Sequence, residues 1–220
     1  MKRIAILTIV GIVSVALTGE CAEKPAPPGE AKKPQKTTKL FDGKTLKGWK
    51  ILDKIDFADH GKVEVKDGEL ILHKGRAMTG VSWKGDFPRV EYEVSFDARR
   101  IDGDDFFCGM TFPVGKTHCS LILGGWGGSI TGLSCLDGYS ADENETTGVI
   151  DFKQNRLYKV RLRVTKDKIE AWVDKEKIVD VETKDRKIDL RWEMETMPPF
   201  GFATWYTTGG YRNIVLTRLQ

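Results

Sequence analysis

The chain has 220 residues, 40% of them hydrophobic and 30% charged, with a formal net charge of +3 at pH 7. The excess lies near the N-terminus, because residues 40–220 hold 28 Lys and Arg against 29 Asp and Glu. A segment so close to neutrality has no basic surplus to attract phosphates, which argues against nucleic acid as a partner.

The first 22 residues carry Lys2 and Arg3, an apolar run over 4–17, then small and polar residues to Ala22. That is the layout of a cleaved export signal. Its apolar core is shorter than the roughly 20 residues a bilayer-spanning helix needs, so the mature chain is expected in the periplasm or outside the cell without a transmembrane segment. Glu20 precedes Cys21 where a lipid-attachment motif wants a small residue, so ordinary cleavage is expected over lipid anchoring at Cys21. Residues 23–39 include Pro25, Pro27, Pro28, Pro34 and several lysines. Such a composition cannot bury enough apolar surface to offset its ordering entropy and reads as a flexible linker.

Residues 40–220 are long enough for one domain with a sizeable core. Strands are predicted at 63–65, 69–73 and 81–83, followed by 90–98, where Val90, Tyr92, Val94, Phe96 and Ala98 alternate with polar residues. Period-two alternation marks a strand with one buried face. The run 106–112 is apolar at nearly every position, which predicts a central strand or one lining a concave face. Residues 118–123 come next. Tyr158, Val160, Leu162 and Val164 alternate again, and a turn at 165–168 leads into 169–173, an antiparallel hairpin. Strands at 178–181, 200–206 and 211–219 complete the series. No helical stripe persists over three turns. Many short strands separated by Gly, Pro and Asp turns predict an all-β, two-sheet antiparallel sandwich.

Cys108, Cys119 and Cys135 follow the signal, an odd number that permits at most one disulfide within the domain. Cys108 and Cys119 flank a predicted hairpin turn and form the expected pair if one exists. The alternative is three small buried side chains. Their spacing matches no zinc site.

The run Leu40-Phe41-Asp42-Gly43-Lys44-Thr45-Leu46-Lys47-Gly48-Trp49 resembles the opening motif of the 3-keto-disaccharide hydrolase domain family. Val65-Lys66-Asp67-Gly68-Glu69-Leu70, the strand at 90–98 and the closing Tyr211-Arg212-Asn213-Ile214-Val215-Leu216 agree with it. The resemblance implies a concanavalin A-like jelly roll, export, and action on 3-keto-glycosides. Where many relatives carry an Asn-Ser-Gly strand, this chain reads Asp104-Asp105-Phe106-Phe107-Cys108-Gly109, so no family active-site residue is carried over.

In a 3-keto-glycoside the carbonyl acidifies the C2 hydrogen, so a base can remove it while a cation or donor stabilises the enolate oxygen. His118 is the first candidate base, for its near-neutral ordinary pKa; Asp105 and Glu143 are carboxylate candidates. The loop at 136–147 is rich in oxygen ligands, and Asp137, Asp142 and Glu145 are candidates for a divalent cation such as Ca²⁺, set against a merely solvated loop. Trp126 lies within Gly124-Gly125-Trp126-Gly127-Gly128-Ser129. Its indole either stacks on a sugar or fills the core. Trp172, Trp205 and Tyr206 are further stacking candidates. Two functions follow: an exported hydrolase or lyase of 3-keto-glycosides, and a non-catalytic carbohydrate-binding or adhesion module. Nothing in the sequence sets an oligomeric state.

Overall fold

The computed structural model describes residues 36–220; the expected signal and most of the expected linker lie outside the described residues. Two antiparallel sheets pack face to face. Sheet A has the order β13 (Glu176–Glu182), β12 (Lys168–Val173), β11 (Tyr158–Val164), β6 (Tyr92–Asp102), β15 (Thr208–Arg218), β4 (Glu69–Leu72) and β3 (Val63–Lys66), with β1 (Lys36–Lys39) also on β15. Sheet B has the order β10 (Gly148–Val149), β9 (Ile130–Ser134), β8 (Thr117–Gly125), β7 (Cys108–Val114), β14 (Gly201–Trp205), β5 (Met78–Trp83) and β2 (Trp49–Ile51). This is the expected all-β jelly-roll sandwich. Among the described residues no helix is long and apolar enough to cross a membrane.

The alternating positions Tyr92, Val94, Phe96 and Ala98 of β6 face Val81, Met110, Phe112, Leu121 and Phe202 of sheet B in one buried cluster. Sheet B also buries its other face. There Leu52, Phe57, Met78, Phe106, Ile122, Met194, Met197 and Ala203 form a second cluster. Two-sided burial explains why residues 106–112 lack alternation, and β7 is indeed the middle strand of its sheet.

Two details depart from expectation. Residues 36–39, expected in the linker, form strand β1 on β15, with Lys36 opposite Arg218 and Lys39 opposite Val215. All four are exposed, so only backbone pairing holds them and no apolar pattern announces the strand. The pair Cys108 and Cys119 is not bonded; both are free thiols. Register sets Cys108 opposite Leu123 and Cys119 opposite Phe112, offset along the hairpin. Burial raises both thiols, Cys119 to about 12.

The opening motif closes the fold. Asp42 Oδ1 accepts the Lys44 and Thr45 amides at 2.8 Å, its Oδ2 accepts the Thr45 hydroxyl at 2.7 Å, and Trp49 Nε1 donates to the Leu40 carbonyl at 2.9 Å. Those amides, with the Thr45 hydroxyl, lower Asp42 from 3.8 to about 2. A carboxyl lowered by folding contributes stability that is present above its unfolded pKa and lost as pH falls through the folded one. Asp42→Ala is therefore expected to flatten the loss of stability between pH 4 and 2, read as urea midpoints across that range.

Candidate functional site

A pocket of about 240 Å³ opens at one end of sheet B, lined by Asp105, Phe106, Trp126, Arg191, Trp192, Glu193 and Trp205. Four connections build it. The β6–β7 turn brings Asp105 and Phe106, the β8–β9 turn brings Trp126, a strap at 190–199 brings Arg191, Trp192 and Glu193, and the end of β14 brings Trp205.

Each connection is tied down. The Asp105 amide donates to Thr207 Oγ1 at 3.0 Å, and the Trp205 amide to the Phe106 carbonyl at 3.1 Å. The strap lies on the outer face of sheet B through buried Met194 and Met197. Ser82 Oγ donates to the Met197 carbonyl at 2.7 Å. Gly109 leaves room for the strap, since a Cβ there would sit 2.9 Å from Met194 Cε.

Asp105 is the titratable group at the centre. Its Oδ1 accepts the Phe106 amide at 2.7 Å and its Oδ2 the Gly127 amide at 3.4 Å. Burial raises its pKa above the ordinary 3.8, a rise that these amides oppose and the neighbouring Asp104 charge assists. A carboxyl lifted by desolvation becomes a stronger base once ionised. Arg191 Nε pairs with Glu193 at 2.9 Å, and its guanidinium carbon lies 5.8 Å from the Trp126 ring centre. The second oxygen of Glu193, Oε2, is buried with no partner among the described residues.

Of the residues singled out in the sequence, Asp105, Trp126 and Trp205 meet in this pocket. Tyr206 adjoins it, its ring 5.5 Å from Trp205 and 45% exposed. The others lie elsewhere. His118 stands at the far end of β8, seven residues from Gly125 and thus roughly 20 Å along the strand. Burial and Arg89 lower its pKa. Trp172 belongs to sheet A, its indole 3.7 Å from the Arg161 guanidinium.

Glu143 is exposed in the 135–147 loop. The proposed cation ligands do not converge: Asp137 and Glu145 both bind Arg186 at 2.7 Å, so a guanidinium holds the charge balance that a cation would supply. Asp142 has one buried oxygen without a partner, and among the described residues no group of three or more His, Cys, Asp or Glu side chains is arranged to hold a metal. The loop is organised by Asn144 instead, whose Nδ2 donates to the Leu133 and Ser140 carbonyls at 2.8 Å.

Sequence reasoning missed Arg191, Trp192 and Glu193. The segment Leu190-Arg191-Trp192-Glu193-Met194 has no periodicity, and only its crossing of sheet B carries these side chains to the pocket.

Solved structures of similar fold include a candidate glycosyl hydrolase from Parabacteroides distasonis ATCC 8503, 16% identical, covering 84% of this chain and 94% of that chain at a TM-score of 0.51. Crh5 transglycosylase in complex with NAG is 12% identical, covering 88% of each chain at a TM-score of 0.55. A native glycosidic hydrolase is 10% identical, covering 83% of this chain and 94% of that chain at 0.56. At such identities the likeness is one of fold. No curated protein matches the sequence. The family model of the 3-keto-alpha-glucoside-1,2-lyase-like domain, however, matches residues 36–217, nearly every residue of the sandwich, and the chain belongs to that family.

Proposed function

We propose that the protein is an exported hydrolase or lyase of 3-keto-glycosides, working in the pocket around Asp105. Family membership supports the substrate class. The observation that carries the chemistry is a carboxyl raised by burial that shares a small, tryptophan-walled pocket with Arg191. The sequence of Met1 to Ala22 supports export.

A sugar ring presents apolar C–H faces that stack on indole, and Trp126, Trp192 and Trp205 offer such faces. Asp105 takes the C2 proton, and the C–H electron pair becomes the enolate with its charge on the C3 oxygen. Arg191 faces that oxygen with donors left free by its single bond to Glu193. Return of the electron pair re-forms the carbonyl, makes the C1–C2 double bond and expels the C1 oxygen, which takes a proton from water. Addition of water across the double bond then puts hydroxyl on C1 and hydrogen on C2.

The test is release of a chromogenic group from a 3-keto-glycoside by the purified protein, beside the unoxidised parent glycoside. Turnover of the keto compound alone is expected. Binding of both compounds without turnover of either would replace the enzyme by a carbohydrate-binding module, the reading that the exposed indoles of Trp126 and Trp192 favour.

A further inference from the structure

Behind the pocket lies a cation that the chemistry above does not use. Arg100 is the inward-facing residue of β6 that follows Ala98, and it is only 7% exposed. Its Nη2 donates to the Gly128 carbonyl, its guanidinium lies 5.4 Å from the Phe107 ring centre, and its Nε has no hydrogen-bond partner among the described residues. A buried guanidinium left partly unsatisfied is costly.

The glycine-rich turn over Arg100 is moulded to it. A Cβ on Gly124 would stand 2.5 Å from Arg100 Nη2, and one on Gly128 would stand 3.0 Å from Nη1. Both glycines also have positive φ, +76° and +105°, which L side chains resist. The guanidinium, and at Gly128 also the Asp104 carbonyl 2.9 Å from a would-be Cβ, fill the space a side chain would need, and the positive φ favours glycine at both positions. The same turn holds Trp126 at φ +48° in the pocket wall and sends the Gly127 amide to Asp105 Oδ2.

We propose that Arg100 is a positioning residue: it shapes the 124–128 turn from below and thereby places Trp126 and the carboxylate of Asp105. The inference rests on the pocket being the functional site, but its geometry does not depend on which sugar enters. The charged and titratable groups that act on Arg100 are Asp105, Tyr158, Asp104 and Asp151. Asp105 in turn has Asp104 beside it and Arg191 and Glu193 across the pocket. What opposes the burial of Asp105 is the set of Phe106, Gly127 and Trp126 amides, the last two carried by the turn over Arg100.

The test needs no substrate. Carboxyl-carbon NMR of the full protein, with the Asp105 signal assigned through Asp105→Asn, gives its titration midpoint, and amide exchange gives the protection of Gly127. In Arg100→Gln, with the fold confirmed by circular dichroism, the 124–128 turn loses its support, the Gly127 and Trp126 amides that hold Asp105 down move away, and the midpoint is expected to rise. An unchanged midpoint in a folded Arg100→Gln overturns the placing of the Asp105 carboxylate. Arg100→Lys keeps the charge without the reach to Gly128, so Gly127 should lose at least about tenfold in protection and the midpoint should rise in the same direction as in the glutamine variant. Unchanged protection there overturns the positioning role, even if the glutamine variant does not fold. Because neither readout uses turnover, failure of the glycoside assay and failure of this inference are separate results.

Discussion

Asp105→Asn should lower turnover of a 3-keto-glycoside by about 10²–10⁴-fold, the usual share of a general base, while leaving the sandwich folded. Asparagine keeps the shape and can still accept the Phe106 amide, but it has no basic oxygen to take the C2 proton. The pH profile of the wild type carries the same signature. A base works ionised, and burial raises Asp105, so the acid limb of kcat should lie above that of an ordinary aspartate.

Stability should move the other way. A carboxyl whose folded pKa is raised holds its proton more tightly in the folded state, so its contribution is present at low pH and is lost as pH rises through the folded value. At neutral pH the variant loses a poorly solvated charge and should unfold no more readily than the wild type. Full activity in Asp105→Asn, measured under saturating substrate, would remove Asp105 from the chemistry.

Phe202→Ala is expected to cost about 3–5 kcal/mol, the range for emptying a buried aromatic site. Phe202 is fully buried near the start of β14, with its ring centre 4.6 Å from Tyr211, 4.9 Å from Phe96, 5.3 Å from Phe200 and 5.9 Å from Trp49. Those partners come from both sheets and from the opening motif, so the cavity would lie where the layers join. Domains of this kind have about 5–15 kcal/mol in total, and the loss should appear as a large drop in the urea midpoint at unchanged slope. A loss below about 1 kcal/mol would mean that the neighbouring rings close the gap. The consequence reaches the pocket, because β14 also carries Ala203 under the strap and Trp205 in the wall.

The strands were legible because burial on one face imposes period two, as in Tyr92–Ala98 and Tyr158–Val164, and that pattern survives in sequence whatever the partner strand. The opening motif was legible through its resemblance to the family's motif, and its contacts prove local: Asp42 caps amides two and three residues away, and Trp49 reaches back nine. Strand β9 was not read, because Gly132 replaces a side chain where the Ala141 carbonyl and Thr146 approach to 3.0 Å of a would-be Cβ. For Asp105, Trp126 and Trp205, residue type alone marked chemistry or stacking, and the same reasoning marked His118, Glu143 and Trp172, which stand away from the pocket. Sequence by itself determined the two-sheet fold, which rests on local patterns of burial and turn formation, and pointed to the family through the resemblance of its opening and closing motifs. Only the tertiary structure decided which polar and aromatic residues share a site. Asp105, Trp126, Arg191 and Trp205 are spread over a hundred residues and meet only where turns from one end of sheet B and a strap anchored by Met194 and Met197 converge.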